Sequence, residues 1–139
     1  MKKAGFAAML FSIILAVAGT ASAQAARFAG HWKNVNPHTK GLVELEITVH
    51  GANVDVKALG ACDPKPCDVG KTEAHLYAPT VDSNLEQTAK VLTVHYHASF
   101  ADEMLVVEIR GNELAGQFYT HFTDNSHRTD FVEDGVFRK

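Results

Sequence analysis

The sequence predicts an all-β fold, an eight-stranded antiparallel up-and-down β-barrel, on three observations. Apolar residues recur at every second position along most of the chain, as in strands with one buried face, and no long 3.6-residue periodicity competes with them. Gly111-Asn112 stands between two apolar runs as a two-residue hairpin signal. Eight short runs follow one another through short connections, the pattern of a meander, and closing a meander into a barrel removes its exposed edges. A β-sandwich is the alternative arrangement of the same strands.

The first strand is expected over 27–34, with Phe28 and Trp32 turned inward. Over 41–50, Val43, Leu45, Ile47 and Val49 alternate with Glu44, Glu46 and Thr48. Over 53–59, Val54, Val56 and Ala58 alternate with Asp55 and Lys57. The fourth strand, 70–78, puts His75 outward. Before the fifth, Ser83 and Glu86 in "SNLE" sit at capping-box spacing, enough for a turn or two of helix. The fifth strand, 89–97, has Leu92, Val94 and Tyr96 inward against Thr93, His95 and His97. The sixth, 103–110, has Leu105, Val107 and Ile109 inward, and the seventh, 113–122, has Leu114, Gly116, Phe118 and Phe122. The turn between these two sets Arg110 opposite Glu113, Ile109 opposite Leu114, Val107 opposite Gly116 and Leu105 opposite Phe118. A slip of one residue would break that match of apolar faces. The eighth strand, 128–138, brings Phe131 and Phe137 inward.

Compartment follows from the first residues. Lys2 and Lys3 precede an apolar run from Phe6 to Ala18, and Ala21-Ser22-Ala23 is a small-x-small cleavage signal. That is the pattern of a secretory signal peptide over 1–23, and the run is short for a membrane span. Cleavage after Ala23 leaves a single barrel domain over 24–139; Ala25 is the competing site. The mature chain is then 139 less 23, or 116 residues, large enough for a real core. Without Lys2 and Lys3 the 13 basic residues fall to 11 against 16 acidic ones, a net of −5. An acidic chain is a poor partner for nucleic acid, and no basic cluster or amphipathic stretch suggests membrane binding. The expected location is the periplasm or the medium, and the expected state a monomer without a membrane span.

Cys62 and Cys67 are the only cysteines, in "GACDPKPCDVG". Export favours a disulfide between them. A zinc site needs four ligands where this pair supplies two, and a thioredoxin-type motif has two intervening residues rather than four. Metal binding and free thiols stay open as alternatives. A ring this short contributes roughly 2 kcal/mol through chain entropy, and Pro64 and Pro66 already restrict the unfolded chain.

"FAGHWKN" resembles the G-x-W first strand of lipocalin and avidin-like barrels. In lipocalins a basic residue late in the last strand often stacks on that tryptophan, and "GVFRK" offers Arg138 for the cation–aromatic contact. C-x-P-x-x-C-D-x-G and the "FTDNSHRTDFVEDGVFRK" tail resemble a group of small, largely uncharacterised secreted bacterial proteins. Those carry tryptophan before the glycine, where this chain has Val69. The resemblance implies a lipocalin-like (calycin) barrel and export, with no activity attached.

In an up-and-down barrel successive connections alternate between the two ends. One end receives Gly51-Ala52, the 79–88 segment and Gly111-Asn112. The other receives "NVNPHTKG", the cysteine loop, "HASFAD" and "TDNSH", longer and rich in His, Asp and Asn. Barrels bind ligands at the mouth, so this end is the candidate functional face. Its candidates are His38; Asp63, Pro64, Lys65, Pro66 and Asp68; Asp102; and Asp124 with His127. The cysteine loop reads either as a presented recognition element or as a stiff, protease-resistant connection. Phe28, Trp32, Tyr96, Phe118 and Phe122 are the candidate barrel interior. Glu73, His75, His95 and His97 face outward on the fourth and fifth strands; they form a metal patch if those strands bring them together, and are otherwise solvated surface groups.

No G-x-S-x-G, H-E-x-x-H or phosphate loop is present, and no cofactor is implied. Asp102-Glu103 and Glu133-Asp134 are adjacent on strands, where neighbours point to opposite faces, so neither pair reads as an acid/base dyad. The expectation is a non-enzymatic binding protein. It holds either a small apolar ligand in an open barrel or a secreted protein partner, such as a protease, through its rigid loops. The bulky inward residues favour a filled interior and the second class. The size of the interior cavity discriminates between them.

Overall fold

A computed structural model describes residues 23–139. The expected signal peptide lies outside the described residues except for its last position. The chain forms β1 (Gly30–Asn34), β2 (Leu42–His50), β3 (Asn53–Gly60), β4 (Cys67–Tyr77), β5 (Val91–His97), β6 (Ala101–Arg110), β7 (Glu113–Phe122) and β8 (Phe131–Arg138). Each strand pairs antiparallel with the next, and β8 returns to β1, which closes an up-and-down barrel. Among the described residues no helix is long and apolar enough to cross a membrane.

The β6–β7 hairpin has the register its turn dictates: Arg110 faces Glu113, Ile109 Leu114, Val107 Gly116 and Leu105 Phe118. Gly111 takes φ +61°, the left-handed backbone that a two-residue turn requires and that glycine adopts without strain. Inward positions at steps of two fill the lower barrel. Leu45, Val56, Leu92, Val94, Leu105, Val107, Leu114 and Phe137 are all fully buried there. Each such side chain is worth about 1.5–3 kcal/mol relative to exposure.

Several elements depart from the alternation pattern. The first strand begins at Gly30, not 27, because Ala25–Phe28 turn into a single 3-10 turn. That turn plugs the tight-turn end: Ala25 and Phe28 are completely buried, and the segment packs on β2 and on the short helix α1 (Leu85–Thr88). Arg27 Nη2 donates to the Gly111 carbonyl at 2.9 Å, and the Trp32 indole N–H donates to the Phe28 carbonyl at 2.7 Å. The plug keeps water from apolar layers that strands alone would leave open.

In β2 the pairing with β3 shifts between Leu42 and Glu44, so Leu42 rather than Val43 takes the buried position. β4 begins at Cys67 rather than 70, because Cys67 and Asp68 still pair with Gly60 and Leu59 after an irregularity at Ala58. Gly70 stands at that irregularity with φ +139°, and a Cβ there would meet the Tyr96 ring at 3.3 Å. Helix α1 is capped by Asn84, whose side chain accepts from the Gln87 N–H at 3.0 Å, while Ser83 instead pairs its hydroxyl with Thr80. The Ser83–Glu86 capping box does not form. β5 starts at Val91 instead of 89, β6 at Ala101 instead of 103 and β8 at Phe131 instead of 128.

Candidate functional site

The two ends of the barrel differ. At the tight-turn end Ala25 and Phe28 close the core, and the hollows of about 670 and 510 Å3 beside Arg27 lie outside that plug. At the loop-bearing end a hollow of about 430 Å3 is lined by inward strand residues. Below it, the void bordered by Leu105, Phe118 and Phe137 is about 10 Å3, the least that holds one water. The interior is thus filled in its lower part and open at the mouth.

Strand alternation builds the mouth wall. On β7, Phe118 and Thr120 point inward and are 8% and 5% exposed, with half-buried Phe122 at the rim. On β6, Glu103 follows the same inward step as Leu105 and Val107; on β8, Glu133 follows that of Phe137. In register, Glu103 lies opposite Thr120 on one side and Tyr96 on the other, and Phe118 lies opposite Glu133. The Glu133 carboxylate rests on the Gly41 backbone, where any Cβ would collide with it. Burial pushes the Glu103 carboxyl above its usual range. Beneath it the Tyr96 phenol is pushed far up, first by burial and then by the Glu103 and Asp68 carboxylates, and its O–H donates to the Val56 carbonyl at 3.3 Å.

Loops complete the wall. Cys62 and Cys67 are joined in a disulfide with Cα atoms 5.5 Å apart, at the base of the β3–β4 connection. Both line the hollow, and the Ala61 N–H donates to the Gly41 carbonyl at 2.8 Å, which ties this connection to the one before β2. The tip from Asp63 to Pro66 is exposed and does not line the hollow, although the loop that carries it does. Asp68 lines the hollow and accepts from the Gly70 N–H at 3.0 Å. Phe100 and Phe131 bring aromatic rings to the rim at 43% and 44% exposure. The Arg128 guanidinium lies 3.9 Å from the Phe122 ring centre and 5.6 Å from that of Phe100. Its edge donates to Asp124 at 2.5 Å and to Ser126 at 2.7 Å. Hydrogen bonds from Ser126, side chain first and then its N–H at 3.1 Å, together with the Arg128 bond and charge, hold the Asp124 carboxyl below its ordinary range.

Several residues singled out from the sequence lie elsewhere. Asp102 points out of the barrel and meets His97 at 2.7 Å; its neighbour Glu103 is the inward group. His38 and His127 are exposed in their loops and do not line the hollow, and Asp124 acts through Arg128. Phe28 and Trp32 belong to the plugged end, Tyr96 to the floor of the mouth and Phe118 to its wall. Phe131, expected inside, sits at the rim because β8 begins with it.

Glu73, His75, His95 and His97 do not gather: His75 faces Thr93 across the β4–β5 ladder, and among the described residues no three His, Cys, Asp or Glu side chains form a group that could hold a metal. The Trp32 partner also differs. Arg138 pairs with Glu113, and it is Lys139 Nζ that stands 4.6 Å from the Trp32 ring centre.

Glu103, Glu133, Lys40, Thr120 and Phe100 are mouth residues that inspection of the loops passed over. The two glutamates carried a signal: each stands an even number of steps from a buried apolar residue of its own strand. No family model, curated protein or solved structure matches the chain, so the geometry of the mouth is what speaks to function.

Proposed function

We propose that this chain is an exported, non-enzymatic, monomeric binding protein whose lipocalin-like barrel takes a small, largely apolar ligand into its loop-bearing mouth, in the periplasm or the medium. The observation that supports it is the hollow of about 430 Å3 above a filled core, walled by Leu42, Phe118 and Phe122. Ligand pockets are concave and mostly apolar with a few placed polar groups, and this one has Thr120, Glu103 and Glu133. The disulfide keeps one wall in shape before binding, which reduces the ordering cost. Native mass spectrometry of protein purified from its own source is expected to show a bound small molecule that dissociates on collisional activation. The same spectrum is expected to give a chain starting at Gln24 or Ala26. Retention of Met1 on a soluble exported form would overturn the secretion reading, and a repeatedly empty protein the carrier reading.

A second reading rests on the exposed tip Asp63–Pro66, held by the disulfide away from the hollow. A rigid, solvent-facing loop suits a secreted protein partner such as a protease. Here Lys65→Glu is expected to weaken capture of that partner without changing stability; unaltered capture would leave the mouth as the site.

A further inference from the structure

The chemistry of the mouth narrows the ligand. A hydrophobic ligand alone would be served by an apolar wall, because carboxylates cost free energy when half-buried among aromatic rings. Yet two inward strand positions, on β6 and β8, hold Glu103 and Glu133. Neither takes part in any ion pair among the described residues. The lining carries three carboxylates, Asp68, Glu103 and Glu133, against one cation, Lys40. Arg128 stands beside it, but its charge is engaged by Asp124 at 2.5 Å.

The rings add a second, independent observation. Phe100 and Phe122 already receive a cation on their faces, the Arg128 guanidinium. Phe131 lies 6.0 Å from Phe122, centre to centre, at an interplanar angle of 31°. Phe118 and Phe131 also line the hollow and, among the described residues, carry no such cation. Aromatic faces beside carboxylates are the surroundings that recognise an ammonium group on an apolar body. A divalent metal does not fit, since no group of three ligating side chains is present among the described residues. An anion would meet the carboxylates.

We propose that the mouth binds an organic cation, a small apolar molecule bearing one protonated or quaternary amine, with its charge at Glu103 and Glu133 and its body against Phe118 and Phe122. This rests on the mouth-binding reading above.

Three probes of one shape test it: 3-phenylpropylamine, 3-phenylpropanol and 3-phenylpropionate, titrated at pH 7.5 into the mature protein with amide shifts followed by NMR. The amine is expected to bind about tenfold more tightly than the alcohol, with the carboxylate weakest. Its shifts should centre on Glu103, Thr120 and Glu133. Glu103→Gln with Glu133→Gln should bring the amine-to-alcohol ratio close to one, while Glu73→Gln, the same charge change on the outer face, should leave it. Should the doubly substituted chain misfold by circular dichroism, each single substitution is expected to lower the ratio by itself. Equal binding of amine and alcohol at the mouth overturns the cation inference and leaves the mouth as a site. Shifts that avoid the mouth for all three probes, or no shifts, overturn both.

Discussion

His121 illustrates how single side chains hold the mouth's loops. It points outward from β7, and its ring nitrogen lies 2.6 Å from Asp130, whose other oxygen accepts the Phe122 N–H at 2.9 Å. One carboxylate thus anchors the 123–130 connection at the rim residue Phe122. Register extends the row, with Asp102 beside His121 and His97 beside Asp102. The bond to Asp130, then its charge, raise the imidazole above its ordinary 6.5, with Asp102 adding a smaller push. The bond to His121, then that to the Phe122 amide, lower the Asp130 carboxyl below its ordinary 3.8.

A raised histidine contributes fully below its unfolded value and loses that contribution as pH rises through the folded one. A lowered aspartate contributes above its unfolded value and loses it as pH falls through the folded one. The tether is therefore fully present between the two ordinary values, 3.8 and 6.5. Amide exchange at Phe122, corrected for the intrinsic rate, is expected to be slowest in that window and to speed up on both sides. Protection that is flat with pH, or that Asp130→Asn leaves unchanged, would refute the tether.

The β3–β4 hairpin shows at the element scale what the disulfide does. Its bond closes a short ring at a hairpin end that is already paired through Gly60 and Cys67. Replacing both cysteines by serine is therefore expected to leave the barrel folded and to lower stability by no more than about 2 kcal/mol. Chemical denaturation measures this. An unfolded variant would mean that the ring is structural. Because Cys62 and Cys67 line the hollow, the same variant should bind mouth ligands more weakly than its small stability loss implies.

For the whole molecule, closure is the weak step. β6 and β7 pair along their full length, whereas β1 and β8 share only Lys33 opposite Arg138 and Asn34 opposite Phe137, extended by the Val35 N–H to the Val136 carbonyl at 2.8 Å. Lys139 over Trp32 reinforces that seam from the side chains, whereas the Arg138–Glu113 pair ties β8 to β7. Local opening follows the sparsest hydrogen bonding. Hydrogen exchange is expected to be fastest along β1 and the C-terminal half of β8, and slowest in β6 and β7. Uniform protection around the barrel would contradict this.

The alternation of apolar residues, the Gly111-Asn112 turn and the run of short connections were enough to determine an all-β meander and its central register. Those signals are local: side chains two apart share a face wherever the strand lies, and a two-residue turn pairs its own flanks. The clipped cysteines and the polar end of the barrel were legible for the same reason. Only the tertiary structure decided that Ala25–Phe28 close one end, that Leu42 replaces Val43 at the wall, and that Lys139 rather than Arg138 covers Trp32. It also decided that Glu103 and Glu133, thirty positions apart and each beside another acid, face one hollow. Their separation in the chain says nothing of their distance, because only closure of the sheet and the residue-by-residue pairing of β6, β7 and β8 bring them to the same mouth.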